Sequence, residues 1–323
     1  LRNIAAVSVI ALCVLAGPAL GQAPPDDPEA TVVSELVVRA VTPGPAWWKA
    51  SDADSTVWIF GLPAGSTPTK LAWDRSVAQR RMVGANALLM PPFASVSITA
   101  SGRQAASALA GMTPGLRWTS GNVEAKMTPD LAERFAAART KMKRSVGRYA
   151  SPVPALAGIR LGEDYLAWAG LQGEPGDELT KLARKTKTPL RRPPTIQAAS
   201  LTLNEASLDD PGVRGCFEAM IDDVEVDPAR HRAAAAGWAV GDVRVALNVP
   251  RDGFSRCENQ IRNTGFARKS LEAQTAAIVE ALEQPGKTVA AVPLRLLVAD
   301  DGVIERLRAR GVAVVDPTGL EDG

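Results

Sequence analysis

The sequence predicts an α/β fold in a single domain, with helical insertions between short buried strands. Three observations predict it. Near the C-terminus, residues 288–292 read as a strand, 301–310 as a helix closed by Gly311, and 312–315 as the next strand. Far upstream, Val57-Trp58-Ile59-Phe60 is a β-rich run that stops at Gly61. The long stretch between these ends is dominated by helical periodicity punctuated by Pro and Gly.

The elements follow in chain order. Arg2 precedes an uncharged run that is apolar from Ile4 to about Leu20, and Ala19-Leu20-Gly21 offers small residues to a signal peptidase. Residues 1–21 are therefore expected to be a cleaved signal peptide, with Gln22 as the first mature residue. The apolar core is short for an uncleaved anchor, and Leu12 before Cys13 is unsuited to a lipobox. Arg outnumbers Lys and Ala is abundant, which suggests a GC-rich bacterial source and a periplasmic or secreted destination. Residues 22–45 carry Pro-Pro-Asp-Asp-Pro and Pro43-Gly44-Pro45, and read as a tether with one short strand at 36–41. The core begins at Trp47-Trp48. Ser51-Asp52-Ala53-Asp54-Ser55 is turn-like, and Ala87-Leu88-Leu89-Met90 is a second buried strand halted by Pro91-Pro92. Thr128 caps a helix with Pro129 at its first position, running to about Val146. Further helices are expected over 163–171, 177–185, 216–224, 231–247 and 268–284, the last stopped by Pro285-Gly286.

Counting excludes whole classes of chemistry. The 323 residues are 46% hydrophobic, which a globular core needs. Lys+Arg 37 against Asp+Glu 35 gives a net charge of +2, so nothing announces nucleic acid or an anionic membrane. There is one His, His231, and three Cys, which rules out a multi-His or four-Cys zinc site. No cofactor and no membrane span in the mature chain are expected. Removal of Cys13 leaves Cys216 and Cys257, and a structural disulfide is expected. It would close a loop of about 40 residues and contribute roughly 4 kcal/mol. Two free thiols or a redox pair are the alternatives, although a C-x-x-C spacing is absent.

Several residues tempt without persuading. Residues 61–67 superficially resemble a phosphate loop but lack its Lys and spacing. His231, between Arg230 and Arg232, reads as a surface residue. Asp300-Asp301 reads as a helix cap. The acidic run 222–227 reads as a helix end and turn, and the basic run 181–192 as a solvated face. Trp47, Trp48, Trp58 and Trp73 read as core packing, with a ligand-facing wall as the alternative.

Particular motifs carry a family resemblance. The segment from Pro45-Ala46-Trp47-Trp48 to Phe60-Gly61, the downstream Trp73, the Trp238-Ala239-Val240-Gly241-Asp242 segment, and Asp301-Gly302-Val303 with Arg308-Ala309-Arg310-Gly311 together resemble TraB/GumN proteins. The resemblance runs from about Pro45 to Asp316, within a domain placed at 46–318 with a tail at 319–323. It implies an α/β fold with a central mixed sheet whose two halves each supply a G-x-x-H loop. The Tiki-type relatives are metal-dependent peptidases, and two imidazoles with a carboxylate can hold an ion that activates water. Every one of those positions has changed here. The first loop aligns on Gly61-Leu62-Pro63-Ala64, putting Ala64 at the His. The acidic position aligns on Pro91. The second loop aligns on Pro293-Leu294-Arg295-Leu296, putting Leu296 at the His, and a Glu-Arg-Asn triplet falls near Lys269-Ser270-Leu271. Ala64 and Leu296 are expected to face one cleft and pack as apolar groups. The expectation is an exported, non-catalytic member with a binding or assembly role toward a peptide, protein or small molecule. A hydrolase rebuilt around Arg295 and nearby carboxylates is the alternative.

Overall fold

Residues 288–292 form the middle of the longest continuously buried strand, and the sheet is built around them. The computed structural model describes residues 31, 44–99, 123–150, 154–202, 208–209, 211–250 and 265–320. The expected signal peptide, most of the tether with its 36–41 strand, and Cys257 lie outside the described residues.

Ten helices and eight strands are described. The strands are β1 (Trp47–Ser51), β2 (Ser55–Leu62), β3 (Leu88–Leu89), β4 (Ala94–Thr99), β5 (Leu190–Arg191), β6 (Ile196–Thr202), β7 (Gly286–Pro293) and β8 (Ala313–Val315). The helices, in chain order, are α1 (Ser76–Met82), α2 (Pro129–Lys141), α3 (Pro154–Ala169), α4 (Pro175–Thr186), α5 (Pro211–Glu225), α6 (Pro228–Ala239), α7 (Val243–Leu247), α8 (Phe266–Leu282), α9 (Leu294–Leu297) and α10 (Val303–Arg308).

The main sheet has the order β5-β3-β7-β2-β1-β8. β7 pairs in parallel with β2 and β3, and β3 in parallel with β5, whereas β1 runs antiparallel to both β2 and β8. The sheet is therefore mixed, and the fold is α/β as the sequence predicts. Thr288-Val289-Ala290-Ala291-Val292 is buried on both faces, which is why it reads as an unbroken apolar run. The β1–β2 turn is the expected one: Asp52 Oδ1 accepts from the Ser55 backbone N–H at 2.9 Å and the Asp54 N–H at 3.2 Å. β4 and β6 form a separate parallel pair.

The helical insertion has its own core. Phe135 of α2 stacks on Phe217 of α5 at 5.7 Å and meets Tyr149 edge-on at 5.2 Å. Below them Asp164, with 3% of its side chain exposed, accepts from Arg148 and from Tyr149 at 2.9 Å. Such a pair persists only because both partners are present.

Several local expectations need correction: the helix expected over 163–171 is the second half of α3, which starts at Pro154, and the helix expected to reach Val146 ends at Lys141. The helix expected over 231–247 is two helices, α6 and α7. The chain turns at Gly241, whose φ of +74° suits glycine, and the Asp242 carboxylate then accepts from Val245 N at 3.0 Å to start α7. Asp300-Asp301 does not cap α10, whose N-cap is Gly302 without a side-chain bond. Asp301 instead pairs with Arg306 at 2.5 Å, because an extended Gly302 sets the carboxylate beside the first turn. Thr128 does stand at the N-cap of α2, but its hydroxyl makes no cap bond. The acidic run is the helix end expected: α5 stops at Glu225, and Asp227 caps α6 through Ala229 N at 2.9 Å.

Candidate functional site

The two degenerate loops leave the sheet side by side. β2 and β7 are parallel neighbours, with Gly61 opposite Val292 and Leu62 opposite Pro293, so both loops start at the same end of the sheet. Pro91 follows β3, the strand on the other side of β7. The three aligned positions thus sit beyond the carboxyl ends of three adjacent parallel strands, where open α/β sheets place their ligands.

Local packing explains the motif residues that surround these loops. A Cβ on Gly61 would lie 2.8 Å from Leu294 Cδ1 and 3.3 Å from the Trp48 ring, so a larger residue there would have to displace the Leu294 side chain of the second loop. The Trp238 indole N–H donates to the Gly61 carbonyl at 2.7 Å, tying the Trp-x-x-Gly-Asp segment to the first loop. Trp238 also meets Phe60 at 5.7 Å and Trp73 at 5.6 Å, and Trp47 meets Phe60 at 4.8 Å. Trp47, Trp48 and Trp73 are buried in the sheet core, so these rings pack and do not form a ligand wall. At the second loop, a Cβ on Gly302 would lie 2.6 Å from the Leu296 carbonyl. Arg308 clasps Asp316 through both carboxylate oxygens at 2.9 and 3.0 Å, fastening α10 to the segment after β8.

The loops differ in what they face. Ala64 lines a cavity of about 770 Å³ between the first loop and the helical insertion. Leu296 is 2% exposed within the sheet core, and Pro91 does not border this cavity among the described residues. Leu296 packs in the core on the short α9 that turns it inward, whereas Ala64 is half-buried and lines the cavity, so the two do not line a common cleft. Arg295, offered by the rebuilt-site alternative, donates from its guanidinium to the carbonyls of Leu247 (3.0 Å) and Val249. It ties α9 to the end of α7. Near the triplet position, Lys269 is exposed while Ser270 and Leu271 are buried in α8.

The cavity walls come from the first loop, the 171–176 loop and three helices. Residues 62–67 form one side, and the Thr67 hydroxyl fastens it to the opposite loop by donating to the Gly173 carbonyl at 3.0 Å. α3, α5 and the start of α6 complete it. Tyr165 donates its hydroxyl to the Val226 carbonyl at 2.8 Å, and burial with Asp227 and Asp223 nearby pushes its pKa up to about 12. Burial and the neighbouring Asp177 hold the Glu174 carboxyl above its ordinary range.

His231 is the main residue that sequence reasoning misplaced. It is half-buried, and its ring borders the cavity, 6.4 Å from the Tyr165 ring. Nδ1 is buried against the first loop, 3.7 Å from where a Cβ on Gly65 would sit, without a hydrogen-bond partner among the described residues. Burial first, and Arg230 second, lower its pKa, so the imidazole is neutral near pH 7. Its arginine neighbours are exposed, and that is what made the sequence look like surface; the helix turns about 100° per residue and sends 231 inward.

The residues do not fit the metal that the family resemblance implies. Ala64, Pro91 and Leu296 offer no side-chain lone pair, and among the described residues no three His, Cys, Asp or Glu are grouped to hold an ion. Cys216 is buried on α5 beside Ala219 and Met220. No described helix is long and apolar enough to cross a membrane. Compared with known families, residues 46–316 match the model of the TraB/PrgY/gumN family. No curated protein and no solved structure matches the chain.

Proposed function

Since the chain belongs to the TraB/PrgY/gumN family, we propose that it is an exported, non-catalytic member whose cavity beside the first loop binds a ligand. One observation carries the reading. The positions where the family resemblance implies metal ligands hold Ala64, Pro91 and Leu296, while the framework around them keeps its hydrogen bonds and close packing. Losing the ligands while keeping the support and an open cavity is what a binding role requires and a metal-dependent hydrolysis does not. Export is supported by the apolar run after Arg2, and an oxidising destination by the even Cys216–Cys257 pair, proposed to be bridged.

The rebuilt-hydrolase reading gains one observation, the neutral His231 in the cavity. It lacks the rest of an acid–base couple, because no carboxylate is bonded to Nδ1 among the described residues to orient the ring.

The test is metal analysis of the purified protein together with peptide hydrolysis with and without EDTA. The expected result is no stoichiometric divalent ion, no EDTA-sensitive cleavage, and an unchanged melting temperature on chelation. One tightly bound ion per chain with metal-dependent cleavage would overturn the reading.

A further inference from the structure

We propose that the cavity takes a small amphiphilic cation, an apolar body carrying a protonated amine; this rests on the binding role proposed above. Leu62, Ile159, Leu166 and Met220 give the cavity an apolar interior, and its volume of about 770 Å³ suits a drug-sized molecule. The charged groups on its lining are all of one sign. Glu163, Glu174 and Asp223 border it, and no described lining residue is Lys or Arg. His231 does not offset them, since its imidazole is neutral near pH 7. Arg230 and Arg232 act on His231 and Tyr165 from outside the lining, so the negative sign belongs to the groups that a ligand in the cavity would touch.

A carboxylate beside apolar surface discriminates strongly between ligands of equal size. A neutral ligand gains only the burial of its apolar body. An anionic one gains the same burial against like-charge repulsion. An ammonium gains burial and charge-assisted hydrogen bonds from its N–H groups to carboxylate oxygens. Glu163 and Glu174 are exposed at the mouth of the cavity and Asp223 is half-buried, so an ammonium would meet them at the rim while its apolar body enters.

Gly162 of α3 provides the means to block the site. It borders the cavity, and a Cβ built on it meets nothing within 4 Å, so a large side chain there has room to enter without striking the fold. The experiment is calorimetric titration of the purified full chain at pH 7 and low salt with octylamine, octanol and octanoate, three probes of one chain length. Octylamine is expected to bind roughly tenfold more tightly than the other two. Gly162→Phe should abolish that binding. Glu174→Gln, at the rim and without change of volume, should weaken octylamine about threefold while leaving octanol unaffected. Circular dichroism and melting curves, with Gly162→Ala as control, establish that the variants fold. If octanol or octanoate binds as tightly as octylamine, the cationic assignment is overturned and the binding role stands. If none of the three binds, both are overturned. Octylamine binding that survives Gly162→Phe lies elsewhere and also overturns the proposal.

Discussion

Replacing Trp238 by Phe tests whether the first loop is held by one hydrogen bond as well as by packing. The indole N–H donates to the Gly61 carbonyl at 2.7 Å, and the side chain is buried at 3% exposure. Phe keeps an aromatic ring next to the backbone but removes the donor and the outer part of the fused ring system that reaches Phe60 and Trp73. Leaving a buried carbonyl without this partner costs about 1–3 kcal/mol. The lost ring atoms cost about 1–2 kcal/mol, a fraction of the 3–5 kcal/mol for full truncation of a large aromatic. The sum, about 2–5 kcal/mol, is tolerable against a typical stability of roughly 5–15 kcal/mol, so the variant should fold. Trp73→Phe is the internal reference. Trp73 is buried in the same ring cluster, but its indole makes no hydrogen bond among the described residues, so it should lose the packing share alone. Urea unfolding at matched slopes measures both variants. Trp238→Phe is expected to be the costlier by about 1–3 kcal/mol. Equal losses would mean that the bond contributes nothing net and that the Trp-x-x-Gly-Asp segment supports the loop by packing only.

Gly302→Ala should cost about 1–3 kcal/mol, because its Cβ would fall 2.6–2.8 Å from the backbone of Leu296 and Ala299, atoms that cannot swing away; an unchanged urea midpoint would contradict the packing described. His231 makes stability depend on pH in a defined window. Burial and Arg230 place its folded pKa below 6.5, so its contribution is complete above the unfolded value and falls as pH drops below it, by at most about 1.4 kcal/mol per pH unit. His231→Gln should flatten the difference between unfolding midpoints at pH 7.5 and 5.5, and identical profiles would show that the imidazole is not withdrawn from solvent. At Asp164 burial raises the pKa, but the bonds from Arg148 and Tyr149 outweigh it and the net shift is downward. Its stabilisation is therefore full above about pH 4 and lost as pH falls through the lowered value. Asp164→Ala should cost about 3 kcal/mol at pH 7 and remove that acid dependence, which acid unfolding of the two proteins will show.

Much of the fold is legible in residue order alone. The buried β7, the Asp52 turn, and the α8–β7–α10–β8 succession follow from apolar runs and Gly or Pro stops, because strand burial and helix termination are set by neighbours in the chain. The changed loop positions are equally legible, since a missing lone pair at Ala64, Pro91 or Leu296 is a property of the residue itself. β1, β4, β5, β6 and α1 were not assigned from the sequence. β1 is recognisable as a strand mainly through its pairing with β2 and β8, and α1 has neither an acidic first turn nor a side-chain cap. Tertiary structure alone decided the site. The same kind of apolar residue faces a cavity at position 64 and the core at 296, because one leaves its strand in a loop and the other in a helical turn. It also drew His231 inward from between two exposed arginines and gathered three carboxylates from α3, α5 and the loop before α4 around one apolar space. Those placements depend on how helices distant in sequence pack together, and no local pattern of residues records that packing.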